Sequence, residues 1–203
     1  MIDNQIEKLQ SRIWITERCH MKAEKRSRFR ESYFHITLAL YSLAIISIPL
    51  LSKSGNADYV NAILTFSSVC TLSLGLLVFG FRFGETAAQH RSCYLDLQRL
   101  RESNPEDATS FNTKYIDTLG YYPNHSSQDY IAVVLSNPFK YQQELKDSEG
   151  RNIKLSAYTR LKYVSYWAIS KLFFAAFAAL PALVVLASII GQNPIELAWN
   201  LVP

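Results

Sequence analysis

Glycine and proline are scarce in this 203-residue chain, seven of each, which argues against both a loop-rich secreted fold and a disordered one. Cysteine is scarcer still. Cys19, Cys70 and Cys93 stand singly, an odd count, with no Cys-x-x-Cys and no Cys/His cluster. Neither a disulfide framework nor a zinc site is expected, and no residue is assigned to a metal, a cofactor or a catalytic role. There is no fixed-period repeat, no low-complexity tract and no Gly-rich phosphate loop. The first thirty residues carry charge throughout and lack an apolar stretch, so they do not read as a cleavable signal peptide.

The most informative absence is of charge within three long runs. No Asp, Glu, Lys or Arg occurs between Glu31 and Lys53, between Asp58 and Arg82, or between Lys171 and Glu196. A bilayer core about 30 Å thick takes roughly 20 apolar helical residues to cross, and each run reaches that length. Mean hydropathy over the chain is zero only because charged stretches alternate with these runs. The fold expected is an all-α integral membrane protein: a two-transmembrane antiparallel hairpin extended into a cytoplasmic helical domain, plus a third C-terminal transmembrane helix.

Cations set the expected orientation. Eight Lys or Arg precede the first run, one lies in the connector, Arg82, Arg91, Arg99 and Arg101 follow the second run, and none follows Lys171. The positive-inside rule places the N-terminus and the middle region in the cytoplasm and the C-terminus outside. The expected organisation is a basic amphipathic helix over 1–33, spans over 34–52 and 59–81 joined by an external connector over 53–58, a cytoplasmic helical region over 82–166, a third span over 167–192, and an external tail over 193–203. Tyr33, Phe34, Tyr59, Phe81, Phe83, Tyr166, Trp167 and Trp199 fall at the predicted interfaces.

At about 100° per residue, Asn61, Thr65, Ser68, Thr71 and Gly75 share roughly a third of the second span's circumference. Thr37, Tyr41 and Ser52 share a side of the first. Lipid rewards neither polarity nor smallness, so such a stripe is expected to face protein or water. Two readings stand: close helix packing, or the wall of a pore built by several copies. No ionisable group lies at the midplane of any span, which argues against a proton-coupled transporter. Pro181 is expected to kink the third span.

Outside the spans, Ile6, Leu9, Ile13, Thr16 and His20 recur at helical spacing. The basic run MKAEKRSRFRESY that follows suits anionic headgroups, and direct nucleic-acid binding is not expected. The segment after the second span should continue as a helix with Ala87, Tyr94, Leu97 and Leu100 on one face, packed antiparallel on the N-terminal helix and ending at Asn104-Pro105. A further helix is expected from about Glu106 to Leu119. Ser126 and Asp129 form a helix-capping arrangement. The same region admits a catalytic reading, with His125 as base and Asp129 as its orienter, but no nucleophile accompanies the pair. A turn is expected at Glu149-Gly150, and LSAYTRLKYVSYW should run as a helix into the third span.

The order of these elements resembles the SLATT domain, a two-transmembrane effector domain associated with SMODS nucleotidyltransferases and SLOG proteins in bacterial conflict systems. The resemblance rests on Trp14, Thr16 and Arg18 in IWITER, on Ala23 and Arg26, on Tyr41-Ser42, on the serine-rich second span, and on the helix after it carrying Ala87, Ala88, Tyr94 and Leu97. Tyr115 to Leu119, followed by Asn124-His125-Ser126 and Asp129-Tyr130, is similar to the subfamily found beside reverse transcriptases. The resemblance implies an antiphage effector of the bacterial inner membrane. A sensor encoded nearby, such as a reverse transcriptase or a nucleotide-signalling enzyme, would trigger it to oligomerise and permeabilise the bilayer, with abortive infection as the outcome. The alternatives are a non-conducting membrane anchor for such a partner, and an enzyme using the His125/Asp129 region.

Overall fold

The computed structural model describes residues 2–51, 57–103, 107–140, 145, 151, 153 and 155–190, and among these the regular structure is entirely helical. Six helices follow one another: α1 Ile2–Leu51, α2 Ala57–Phe81, α3 Phe83–Glu102, α4 Ala108–Gly120, α5 Ser127–Lys140 and α6 Ala157–Ile190. Most of the expected connector, the C-terminal tail with Trp199, Ser52, Asn104-Pro105 and the turn at Glu149-Gly150 lie outside the described residues. The chain divides into two compact units, Met1–Arg30 with Phe83–Tyr166, and Glu31–Arg82 with Trp167–Pro203. The second holds the three charge-free runs; it is called the apolar unit below, and the first the polar unit.

In the polar unit, α1 contributes a helix without a single glycine, and its apolar positions face two cores. Ile13 packs with Cys93 and Leu97 of α3 and with Phe111 and Tyr115 of α4. The neighbouring residue Trp14, about 100° further round the helix, packs with Val134 of α5 and with Leu145. Glu17 pairs with Arg101 and His20 with His90, so two polar contacts also join α1 to α3. The buried face of α3 is Ala87, His90, Cys93 and Leu97. Tyr94 is only half-buried, so the line of burial passes through a histidine and a cysteine that a search for apolar residues overlooks.

Two boundaries differ from expectation for local reasons. Helix α4 begins at Ala108 because extended Asp107 caps it, its carboxylate accepting from the Ser110 N–H at 2.8 Å. Helices α2 and α3 are not continuous: Arg82 adopts a left-handed backbone, φ 45°, and separates them. A residue with a Cβ holds that conformation at a cost of about 1–2 kcal/mol.

The apolar unit turns its large apolar side chains outward. Leu43, Ile46 and Leu50 of α1, Phe66, Leu72, Leu76 and Phe79 of α2, and Ile169, Leu172 and Phe173 of α6 are all more than half exposed. A water-soluble unit does not tolerate so continuous an apolar surface. All three helices are long and apolar enough to cross a membrane. Burial is confined to narrow faces: Thr37, Tyr41, Ala44 and Ile48 on α1, Ser67 and Leu74 on α2, and Pro181 on α6.

Helices α1 and α6 are joined by two tyrosines. The Tyr33 hydroxyl donates to the Phe174 carbonyl at 2.6 Å, with the two rings 4.6 Å apart. The Tyr41 hydroxyl donates to the Phe177 carbonyl at 3.4 Å. The second contact has a specific cause. Pro181 has no N–H, so the carbonyl four residues earlier, that of Phe177, loses its helical donor. In hydrocarbon no water replaces it. Tyr41 therefore supplies the donor that the proline withholds, which accounts for a tyrosine only 2% exposed within an apolar helix face. Tyr41→Phe is expected to cost about 1 kcal/mol. In a Pro181→Ala background the restored backbone donor should make the hydroxyl redundant and shrink that cost to near zero. Unfolding the four proteins of this cycle in detergent measures the coupling, and additive effects would remove the assignment.

Candidate functional site

The polar unit is organised round one buried carboxylate. Asp129 Oδ2 accepts from the Ser126 backbone N–H at 2.9 Å and from the Ser126 hydroxyl at 2.7 Å, while the Asp129 N–H donates to Ser126 Oγ at 3.3 Å. This reciprocal arrangement caps α5. The same oxygen accepts from Arg26 at 2.8 Å, tying α5 to α1. The Asp129 side chain is 4% exposed and that of Arg26 30%. The ion pair is thus largely out of water, where losing one partner is costly.

Three of the four histidines gather beside this carboxylate. His20 of α1 and His90 of α3 are almost fully buried, and their Nδ1 atoms lie 3.0 Å apart. One ring must donate and the other accept, so the bond exists only while at least one ring is neutral. His125, just before α5, sets its ring edge-on to His20 with centroids 5.5 Å apart. Burial, with His90 and His125 close by, pushes the His20 pKa down to about 3. Burial also lowers that of His90, with Asp129 acting against the shift. The adjacent Cys19 thiol is pushed up to about 12, by burial and then by Asp129. A thiol so far from ionising is a poor nucleophile. Among the described residues no group of three or more His, Cys, Asp or Glu has the geometry to hold a metal ion.

The motif residues read from sequence are structural in this unit. Arg18 lies over the Trp14 ring at 5.3 Å. Thr16 Oγ1 bonds the Tyr115 hydroxyl at 2.9 Å, joining α1 to α4. Glu17, which the sequence reading passed over, is 3% exposed and pairs with Arg101 at 3.0 Å. Asn124 is exposed, and His125 Nδ1 lies 3.3 Å from the Ser126 carbonyl rather than against Asp129. His125 and Asp129 are therefore neighbours without forming the base–orienter pair of the catalytic reading. A cleft of about 540 Å³ between α3 and α4 includes Asp96, Arg99 and Lys114. Its Asp96 is already engaged by Arg99 at 3.0 Å and by the Tyr122 hydroxyl at 2.5 Å.

In the apolar unit, the α2 stripe lies off the buried face of its own helix. Ser67 and Leu74 mark that face, and the stripe is centred about a quarter turn away. Asn61, Thr65 and Ser68 are exposed, while Thr71 and Gly75 are half-buried. A Cβ built on Gly75 meets nothing within 4 Å, so packing within the chain makes no use of the space that glycine leaves. Thr65, Ser68 and Thr71 donate to the carbonyls of Asn61, Leu64 and Ser67 at 2.8–2.9 Å. On α1, Ser42 likewise donates to the Leu38 carbonyl, whereas the buried Thr37 hydroxyl has no partner among the described residues.

Removing the central carboxylate should loosen the polar unit. Asp129→Ala is expected to cost roughly 3 kcal/mol, since it leaves Arg26 uncompensated and α5 uncapped. Ser126→Ala should cost about 1 kcal/mol. Thermal unfolding in detergent compares them, and wild-type stability of Asp129→Ala would exclude Asp129 as the organising group.

The whole of this arrangement is spanned by one family model. Residues 2–187 match the SMODS and SLOG-associating 2TM effector domain, family 5, so the match takes in the two spans the family name describes and most of α6 as well. No curated protein and no solved structure gives a significant match. The chain, an all-α membrane protein, belongs to the SLATT family of two-transmembrane effectors linked to defence systems.

Proposed function

We propose that the chain is the membrane-permeabilising effector of a bacterial antiphage defence system, and that several copies associate through the α2 stripe. The observation that carries this reading is the position of the stripe. Asn61, Thr65 and Ser68 are exposed on a helix whose own packing face lies elsewhere, and the room at Gly75 is unused. Small residues in a span permit close approach of a second helix, and hydroxyls and amides join helices in lipid. Three helices cannot surround a water column, so a pore built from this chain contains several copies. The orphaned Thr37 hydroxyl gives the closed packing a defect worth about 1–3 kcal/mol, which a rearranged assembly could remove. In this reading the polar unit faces the cytoplasm, the C-terminus lies outside the inner membrane, and a sensor such as a reverse transcriptase or nucleotide-signalling enzyme acts on the polar unit.

A non-conducting anchor is favoured by a separate observation. The hydroxyls of Thr65, Ser68 and Thr71 are satisfied by their own helix, so lipid can cover them at little cost. Dye release from liposomes distinguishes the two. Purified protein should empty vesicles, and Gly75→Leu or Ser68→Leu should reduce release about tenfold or more without changing thermal stability. Tight vesicles with wild-type protein would leave the anchor. For sidedness, Ser54→Cys in a Cys70→Ser background should react with a membrane-impermeant maleimide on intact spheroplasts, and protection there would reverse the proposed orientation.

A further inference from the structure

We infer that His20 and His90 form an acid-released latch that holds α1 against α3 while their rings are neutral, with the His125 ring set against His20 at the start of α5. The geometry points to it in three ways. His20 and His90 come from separate helices, so their contact ties the two together. His20 and His90 are 1% and 2% exposed, leaving a charged ring no access to water. Their contact is a nitrogen pair at 3.0 Å. Protonating both rings turns both nitrogens into donors, replacing a hydrogen bond with two facing cations.

The groups around the cluster reinforce this. Arg26 of α1 adds a further positive charge. Asp129 of α5 and Glu24 of α1 oppose it, but Asp129 is held by Arg26 and Ser126, and Glu24 by Arg28 at 2.7 Å. Cys19, also facing Asp129, stays a neutral thiol at ordinary pH. Arg30 of α1 and Tyr163 of α6 face Asp129 as well, neither supplying negative charge. No uncommitted carboxylate is left in this set to accept an imidazolium.

The direction follows from linkage. The folded pKa values lie below the usual histidine value of about 6.5, so the latch is fully closed above that pH. It weakens as pH falls from there towards about 3, the value to which His20 is lowered. At pH 5.5 the His20 ring alone should favour the open form about tenfold, and His90 acts in the same direction. For a membrane-disrupting protein, the acidification that a proton leak brings would release the latch further. That consequence rests on the permeabilising reading, whereas the latch itself can be tested in detergent, where no leak exists.

Cys19 and Cys93 are both 0% exposed and flank the histidine pair in sequence, so they report its opening. Full-length Cys70→Ser protein in detergent is reacted with 4,4′-dithiodipyridine at pH 7.5 and 5.5, each rate divided by that of glutathione at the same pH. The normalised rate should rise about tenfold or more on acidification. In the same protein carrying His20→Gln and His90→Gln, the two pH values should agree within about twofold. A flat rate in the protein that keeps its histidines would overturn the latch, and so would an undiminished acid response in the variant. Should the variant fail to fold, imidazole 15N spectra of the wild type decide the matter: a His20 that stays neutral at pH 5.5 until the labelled cysteines open supports the latch, and one that protonates near 6.5 in the closed protein refutes it.

Discussion

Hydrocarbon supplies no hydrogen-bond partner, and the apolar unit is built round that constraint. It forces the charge-free runs into helices, since a helix satisfies its own backbone. It also makes any interruption expensive. Pro181 is such an interruption, and Tyr41 on the facing helix is placed where the freed carbonyl needs a donor. The tyrosine does two jobs at once: its ring packs on Phe177 with centroids 5.4 Å apart while its hydroxyl reaches the backbone. A span interrupted by proline is thereby held by a neighbour rather than left to lipid. Thr37, one turn earlier on the same face, has no corresponding partner among the described residues.

The polar unit meets the same physics with different means. Its interior contains charge and imidazole, and each must be answered by a specific group. Glu17 is answered by Arg101, and Asp129 by Arg26 together with the α5 cap. Each pair bridges two helices, so removing one member frees a helix as well as burying a charge. The histidines differ because they answer one another as neutral rings. Their contribution depends on proton concentration.

Much of the architecture was legible in the sequence because exclusion of charge is a local property. Runs without Asp, Glu, Lys or Arg announce themselves, and the periodicity through Ile13 and His20 marks a buried face. Capping of α5 was equally legible, since Ser126 and Asp129 are three residues apart. What sequence could not show is pairing at a distance. His20 and His90 are seventy positions apart, and nothing at either site signals the other. Arg26 looked like one more cation in a basic run, yet its partner lies on α5. The Arg82 break was missed for another reason: Gly80 and Gly84 on either side weaken the helix, but only the backbone angle shows where it parts. Tyr41 was visible as a polar residue on an apolar helix, but its purpose depended on knowing that α6 lies opposite.

The α2 stripe shows how far static structure can decide between conducting and anchoring. Hydroxyls folded back on their own carbonyls make Thr65, Ser68 and Thr71 nearly neutral towards lipid, so their exposure alone does not demand a partner. Asn61 is different. A side-chain amide carries two donors and an acceptor, more than one backbone carbonyl can satisfy, and it sits at the end of α2 nearest charged Asp58. Gly75 adds a second asymmetry, for glycine in a helix interior costs about 1 kcal/mol relative to alanine, and nothing in the protomer needs the room it makes. Under the proposed assembly, a costly residue with no use inside one copy would find its use in contact between copies. The amide and the glycine, more than the serines, therefore weigh towards assembly, and assembly is the step a conducting state requires and an anchor does not.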